Sequence, residues 1–166
     1  MTRPPDVIAS SSFYEEGSRV LTPGAFEFVL DNELKRAVRS RTCLTLVSVK
    51  ASREWGGATV TADSETLQEM ARIIGRAVRE TDLIGHTGQG TLALVLLDSD
   101  FANSAPVIDR LVLRIETYEF PTALRIAVGA ASYPTHAVDA NSLKQQASAR
   151  PLVSSHGGIR PSAIQN

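Results

Sequence analysis

Arg79 and Asp82 stand at the end of a helical stretch, immediately before two apolar runs, and their types and spacing could do chemistry. A guanidinium is a planar fork of donors suited to a phosphate or a base edge, and a carboxylate accepts from ring N–H groups. The same pair reads equally well as a surface ion pair of little worth, and an isolated Arg-x-x-Asp is common by chance. The remaining reactive residue types are sparser. His86, His136 and His156 have no metal-ligand or triad spacing to one another or to Cys43, so each is expected at a turn or on the surface. Cys43 lies in an apolar run and is expected to act as a small buried hydrophobe, with no second cysteine to pair with.

These residues need a scaffold, and the stretch Arg79–Leu97 supplies its centre. Gly88-Gln89-Gly90 separates a short apolar strand from Thr91-Leu-Ala-Leu-Val-Leu-Leu97, the pattern of a β-hairpin. Upstream, Thr22 and Pro23 suit a helix start, and Phe26, Leu30, Leu34 and Ala37-Val38 recur at helical spacing. Lys35, Arg36, Arg39 and Arg41 read as a solvated, basic helix end matched to the C-terminal dipole. Cys43–Val49 is short, β-branched and apolar, a buried strand. Arg53–Ala62 reads as a loop around Gly56-Gly57, with Trp55 as a lid on the core. Asp63 or Ser64 caps a helix with Leu67, Met70, Ile74 and Ala77-Val78 inward. Beyond the hairpin come a helix with Ile108, Leu111-Val112 and Ile115 inward, a strand over 123–132, and a weak helix over 141–149; from Val153 onward Ser, Gly and Pro predict a frayed segment. The order β-α-β-β-α-β, with a helix before and after, predicts an α/β (α+β) fold of ferredoxin-like split type, one mixed sheet with helices packed on it.

At 166 residues the chain is expected to form one domain, with residues 1–20 as an arm pinned by Phe13 and Tyr14, a body over 21–158, and a tail over 159–166. A formal net charge of −1 gives no electrostatic reason to expect nucleic acid or an anionic membrane as partner. No apolar run is long enough to span a bilayer and none at the start has the shape of a signal peptide, so the expected location is cytoplasmic.

The element order, Leu21-Thr22 ahead of the first helix, and the late strand Val128-Gly129-Ala130-Ala131-Ser132-Tyr133-Pro134 resemble a GGDEF domain, the family of bacterial diguanylate cyclases. The likeness spans about residues 21–158. It implies the family's fold and a place in cyclic di-GMP signalling. The departures bear on activity. Aligned on the hairpin, the signature falls on Gly88, Gln89, Gly90, Thr91 and Leu92, with its acidic positions at Gly90 and Thr91. The family's metal-binding Asp of the first strand falls on or beside Ser48, in Ser48-Val49-Lys50, and the segment that helps hold guanine is replaced by 53–62. Hydroxyls do not concentrate Mg²⁺ as paired carboxylates do, so the expectation is a catalytically inactive domain with no metal cofactor.

One family site is retained in register. Arg79-Glu80-Thr81-Asp82 occupies the place of the Arg-x-x-Asp motif that binds cyclic di-GMP as an inhibitor, and the Arg that the family draws from the next helix carries over to Arg110. An Arg fork matches guanine O6/N7 or a phosphate, while Asp accepts from the ring N–H and amino group. The resemblance therefore implies a cyclic di-GMP receptor, with a second copy of itself or a signalling protein as its partner. The competing readings are a module that docks without any nucleotide, and an active cyclase using unusual residues.

Overall fold

The computed structural model describes residues 13–15, 18–88, 90–149 and 151–157. The centre of the sheet is β2 (Leu44–Trp55), because both its faces are apolar and both become covered. Successive side chains of a strand point to opposite faces. Val47 and Val49, with Leu92, Leu94 and Leu96, pack under Met70 and Ile74 of α2 (Ser64–Ala77) and Leu111 of α3 (Phe101–Thr117). Leu44 and Leu46, with Ala93 and Val95, pack under Phe26 and Leu30 of α1 (Pro23–Ser40) and Leu143 of α4 (Ala140–Ala149).

The other strands are β1 (Val20–Leu21), β3 (Ala58–Thr61), β4 (Leu83–Gly88), β5 (Thr91–Leu97), β6 (Leu124–Tyr133) and β7 (Pro151–Gly157). Their order across the sheet is β1-β4-β5-β2-β6-β7, with β3 paired to the outer half of β2. The pairing of β1 with β4 is parallel and the rest antiparallel. The expected βαββαβ order is present as β2-α2-β4-β5-α3-β6, with α1 before it and α4 after.

Close packing fixes one glycine. Gly85 of β4, opposite Ala93 of β5, lies against the Phe26 ring, and a Cβ there would stand 2.4 Å from Phe26 Cδ1.

The structure corrects several local expectations. Residues 53–62 are no loop: β2 continues to Trp55, turns at Gly56-Gly57 with φ of 59° and 82°, and returns as β3. Gly-Gly between two runs is itself a hairpin signal, and the polar flanks hid it. Trp55 is 66% exposed at this tip, with the Arg53 guanidinium 5.0 Å from its ring centre, so it is not a lid. Val38 is exposed too, just beyond the inward stripe of α1. The frayed segment expected from Val153 onward pairs with β6 through Gly157 as β7. Thr22 stands at the N-cap of α1, and its hydroxyl donates to Phe13 O at 3.3 Å, tying the arm to the helix start. The tail over 159–166 lies outside the described residues.

Candidate functional site

The corner between α2 and β4 holds Arg79 and Asp82. Helix α2 ends at Ala77 because Val78 is extended, and the chain turns with Asp82 N–H donating to Arg79 O. Asp82 is not half of a surface ion pair, one of the two readings of the spacing; its side chain is 3% exposed. Its carboxylate accepts from the backbone N–H of Arg79 (3.1 Å) and of Leu97 (3.2 Å), and from Arg79 Nε and Nη2 (3.4 and 3.3 Å). Those contacts fill the acceptor capacity of a carboxylate. Arg79 Nη2 also donates to Leu97 O at 2.6 Å, while its side chain stays 63% exposed. The pair is thus a clamp between the end of α2 and the end of β5.

Arg110, on α3, donates through Nη2 to Ala77 O at 2.8 Å. It is one of three arginines that satisfy carbonyls at the C-terminal end of α2, where the helix offers no partners of its own. Arg114 reaches Arg76 O at 3.3 Å, and Arg19 donates to Gly75 O, Arg79 O and Asp82 O at 3.4, 2.9 and 2.7 Å. Sequence reasoning missed Arg19 and Arg114, and no local spacing could have found a partner 60 residues away.

Arg79, Asp82 and Arg110 nonetheless line one depression of about 320 Å³, together with Asp98, Ser99 and Asn103. Each guanidinium carries more donors than its internal bonds use. The corner can therefore offer donors to a phosphate or to the O6/N7 edge of guanine, while Asp82 is committed to holding the corner in shape.

The hairpin tip has different chemistry. Ser48 and Lys50 of β2 lie opposite Ala93 and Thr91 of β5. Thr91 and Gly88 line a shallow depression of about 400 Å³ with Asn141, Lys144 and Ser148 of α4, and no carboxylate is among its described lining residues. Lys144 is itself paired with Glu27 of α1. Gly90 has a φ of 67°, and a Cβ on it would meet Ala51 O at 2.8 Å and Thr61 Cβ at 3.1 Å. The cause is the β2–β3 hairpin: Ala51 N–H donates to Gly90 O at 2.8 Å and Thr61 lies beside it. Leu92 is fully buried in the core, and Gln89 lies outside the described residues. Hydroxyls, amides and an ammonium do not make the hard, anionic donor set a divalent cation takes, so the described residues here do not fit one. Among the described residues no group of three or more His, Cys, Asp or Glu side chains is placed to hold a metal.

His86 departs from the turn or surface role expected of it. Its Nε2 lies 2.8 Å from Glu15, and its side chain is only 15% exposed, so it anchors the arm beside β4. His136 is a turn residue as expected, accepting at Nδ1 from Ser132 N–H and meeting Phe101 edge-on. Cys43 is half-buried, and burial first, then the charges of Asp100 and Asp98, push its thiol above the usual range. A larger groove of about 600 Å³ runs along α2 between Arg19, Glu65, Glu69 and Arg72, and none of the expected site residues lines it. Among the described residues no helix is long and apolar enough to cross a membrane.

No protein-family model matches the chain, and no curated protein matches it in sequence. Solved structures do match. The GGDEF domain of TpbB (YfiN) from Pseudomonas aeruginosa is 20% identical over 81% of this chain and 84% of its own, with a TM-score of 0.68. The GGDEF domain of FimX from the same organism is 15% identical over 84% and 91%, with a TM-score of 0.69. The coiled coil and GGDEF domain of DgcB from Caulobacter crescentus, in complex with c-di-GMP, is 15% identical over 87% and 81%, with a TM-score of 0.70. At such identities the likeness is one of fold.

Proposed function

From the premise of a chain with the GGDEF-domain fold, we propose a catalytically inactive signalling domain that binds cyclic di-GMP at the corner between α2, β5 and α3. Arg79 and Arg110 supply the donors, and Asp82 is a positioning residue that fixes the Arg79 backbone and guanidinium. The observation that carries this reading is the convergence of Arg79, from the turn after α2, and Arg110, from the middle of α3, on one depression. Its volume is at the low end of the roughly 300–1,000 Å³ typical of small-molecule sites, which suits one base with its phosphate better than a whole dinucleotide. The rest of the ligand would then lie outside, open to a second copy of the chain or to a signalling partner. The complex of DgcB with c-di-GMP supports the ligand class by likeness of fold. The absence of carboxylates from the described lining of the hairpin-tip depression, and the crowding at Gly90, support inactivity.

A second reading rests on the inward bonds of the same residues. Asp82 to Leu97 N–H, Arg79 to Leu97 O and Arg110 to Ala77 O would keep this corner intact in a docking module that binds no nucleotide. Calorimetry with cyclic di-GMP separates the two. Saturable binding that is lost in Arg79→Ala, in protein whose unfolding transition is retained, supports the receptor. No heat at high ligand concentration refutes it in favour of the docking module. Incubation with GTP and Mg²⁺ tests inactivity, and turnover above background would overturn it.

A further inference from the structure

The corner holds a second carboxylate that nothing so far has used. Asp98 follows β5 directly, is exposed, and lines the same depression as Arg79 and Arg110. Its neighbour Asp100 has a structural task, accepting from Asn103 N–H at 2.7 Å to cap α3. Asp98 has no such bond among the described residues. It also sits at a φ of 55°, the left-handed region that few side chains other than Asn and Asp adopt readily.

Guanine presents two kinds of group to a protein: acceptors at O6 and N7, and donors at N1–H and the 2-amino group. Two arginines answer the acceptors. The donors need a carboxylate with free lone pairs, and Asp82 has none left to give, since four N–H contacts already occupy it. Resting on the proposed binding of cyclic di-GMP, we infer that Asp98, and not Asp82, is the guanine-reading carboxylate of this site and its determinant of base specificity. Adenine reverses the pattern, turning an amino group toward the arginines and an unprotonated ring nitrogen toward Asp98. The corner then selects guanine dinucleotides over adenine ones.

The test is calorimetry of the intact chain with cyclic di-GMP and cyclic di-AMP, on the unaltered protein and on Asp98→Asn. Asparagine also accepts a left-handed backbone, so the variant keeps its unfolding temperature, which is measured alongside. A bidentate carboxylate contact to a base discriminates by roughly 10- to 100-fold, and that is the expected loss of cyclic di-GMP affinity in Asp98→Asn, with most of the preference over cyclic di-AMP lost too. If the unaltered chain binds neither dinucleotide, the receptor reading falls and this inference falls with it. If the unaltered chain binds cyclic di-GMP but Asp98→Asn binds it equally well, only the assignment of Asp98 is overturned. Tighter binding by Asp98→Asn overturns it as well, because it places the carboxylate against a phosphate.

Discussion

Asp82→Ala separates a clamp from a surface ion pair. The substitution removes the acceptor of two backbone N–H groups, those of Arg79 and Leu97. The site is nearly closed to water, the Asp82 side chain being 3% exposed. A buried donor left without a partner costs about 1–3 kcal/mol, so two of them set an expected loss of about 2–6 kcal/mol. The guanidinium of Arg79 adds little, because at 63% exposure water replaces Asp82 as its partner. In a chain of this size each kcal/mol moves Tm by roughly 2–4 °C, so Tm should fall by about 4–24 °C. The assay is thermal and urea unfolding followed by far-ultraviolet circular dichroism, with Arg79→Ala measured in parallel. Arg79→Ala leaves both backbone bonds to Asp82 in place, and its loss should stay near 1 kcal/mol or below. An Asp82→Ala protein melting within about 2 °C of the unaltered chain would refute the clamp, as would an Arg79→Ala protein that is the more damaged of the two.

Three more outcomes follow from the packing and the caps. Gly85→Ala drives a methyl into the Phe26 ring and should cost about 3 kcal/mol; in the Phe26→Ala background it should cost far less, so additive losses in a double-mutant cycle would contradict the contact. Ser48→Asp with Gly90→Asp should not create GTP turnover in Mg²⁺, and should lower Tm, because the Cβ at 90 meets Ala51 O; measurable cyclic di-GMP in a chromatographic assay would show that the tip can relax. Asp63→Asn weakens the cap of α2, in which Asp63 accepts from Thr66 N–H at 2.8 Å; hydrogen bonding from the Thr66 side chain first, and then from its N–H, holds the Asp63 carboxyl below its usual value. A depressed carboxyl contributes stability that is present above its unfolded pKa and lost as pH falls through the folded one. The stability gap between the unaltered chain and Asp63→Asn should therefore be full at pH 7 and close as the pH drops below the unfolded carboxyl range; a gap that persists into strong acid would exclude the charge as its source.

The central strands and the helices packed on them were legible in the residues alone. The nearly continuous apolar runs over 44–49 and 91–97, and the helical stripes through Phe26, Met70 and Leu111, are local patterns, and burial on both faces of the sheet follows from them. The sequence also placed Arg79 and Asp82 beside the hairpin, since their register is a matter of counting. It misjudged 53–62, where exposed polar residues carry no apolar period although the backbone pairs as two strands, and it misjudged the terminal strand for the same reason. Which atoms are already spoken for depends on the folded arrangement. Asp82 meets Leu97 N–H across the sheet end, and Arg110 and Arg19 meet the end of α2 from distant parts of the chain. Hydrogen-bond saturation is a property of three-dimensional neighbours, and sequence spacing carries no record of it. Asp98 was overlooked for that reason: in the sequence it is one more acidic residue in a turn, and its free carboxylate matters only once the fold has used up the other one.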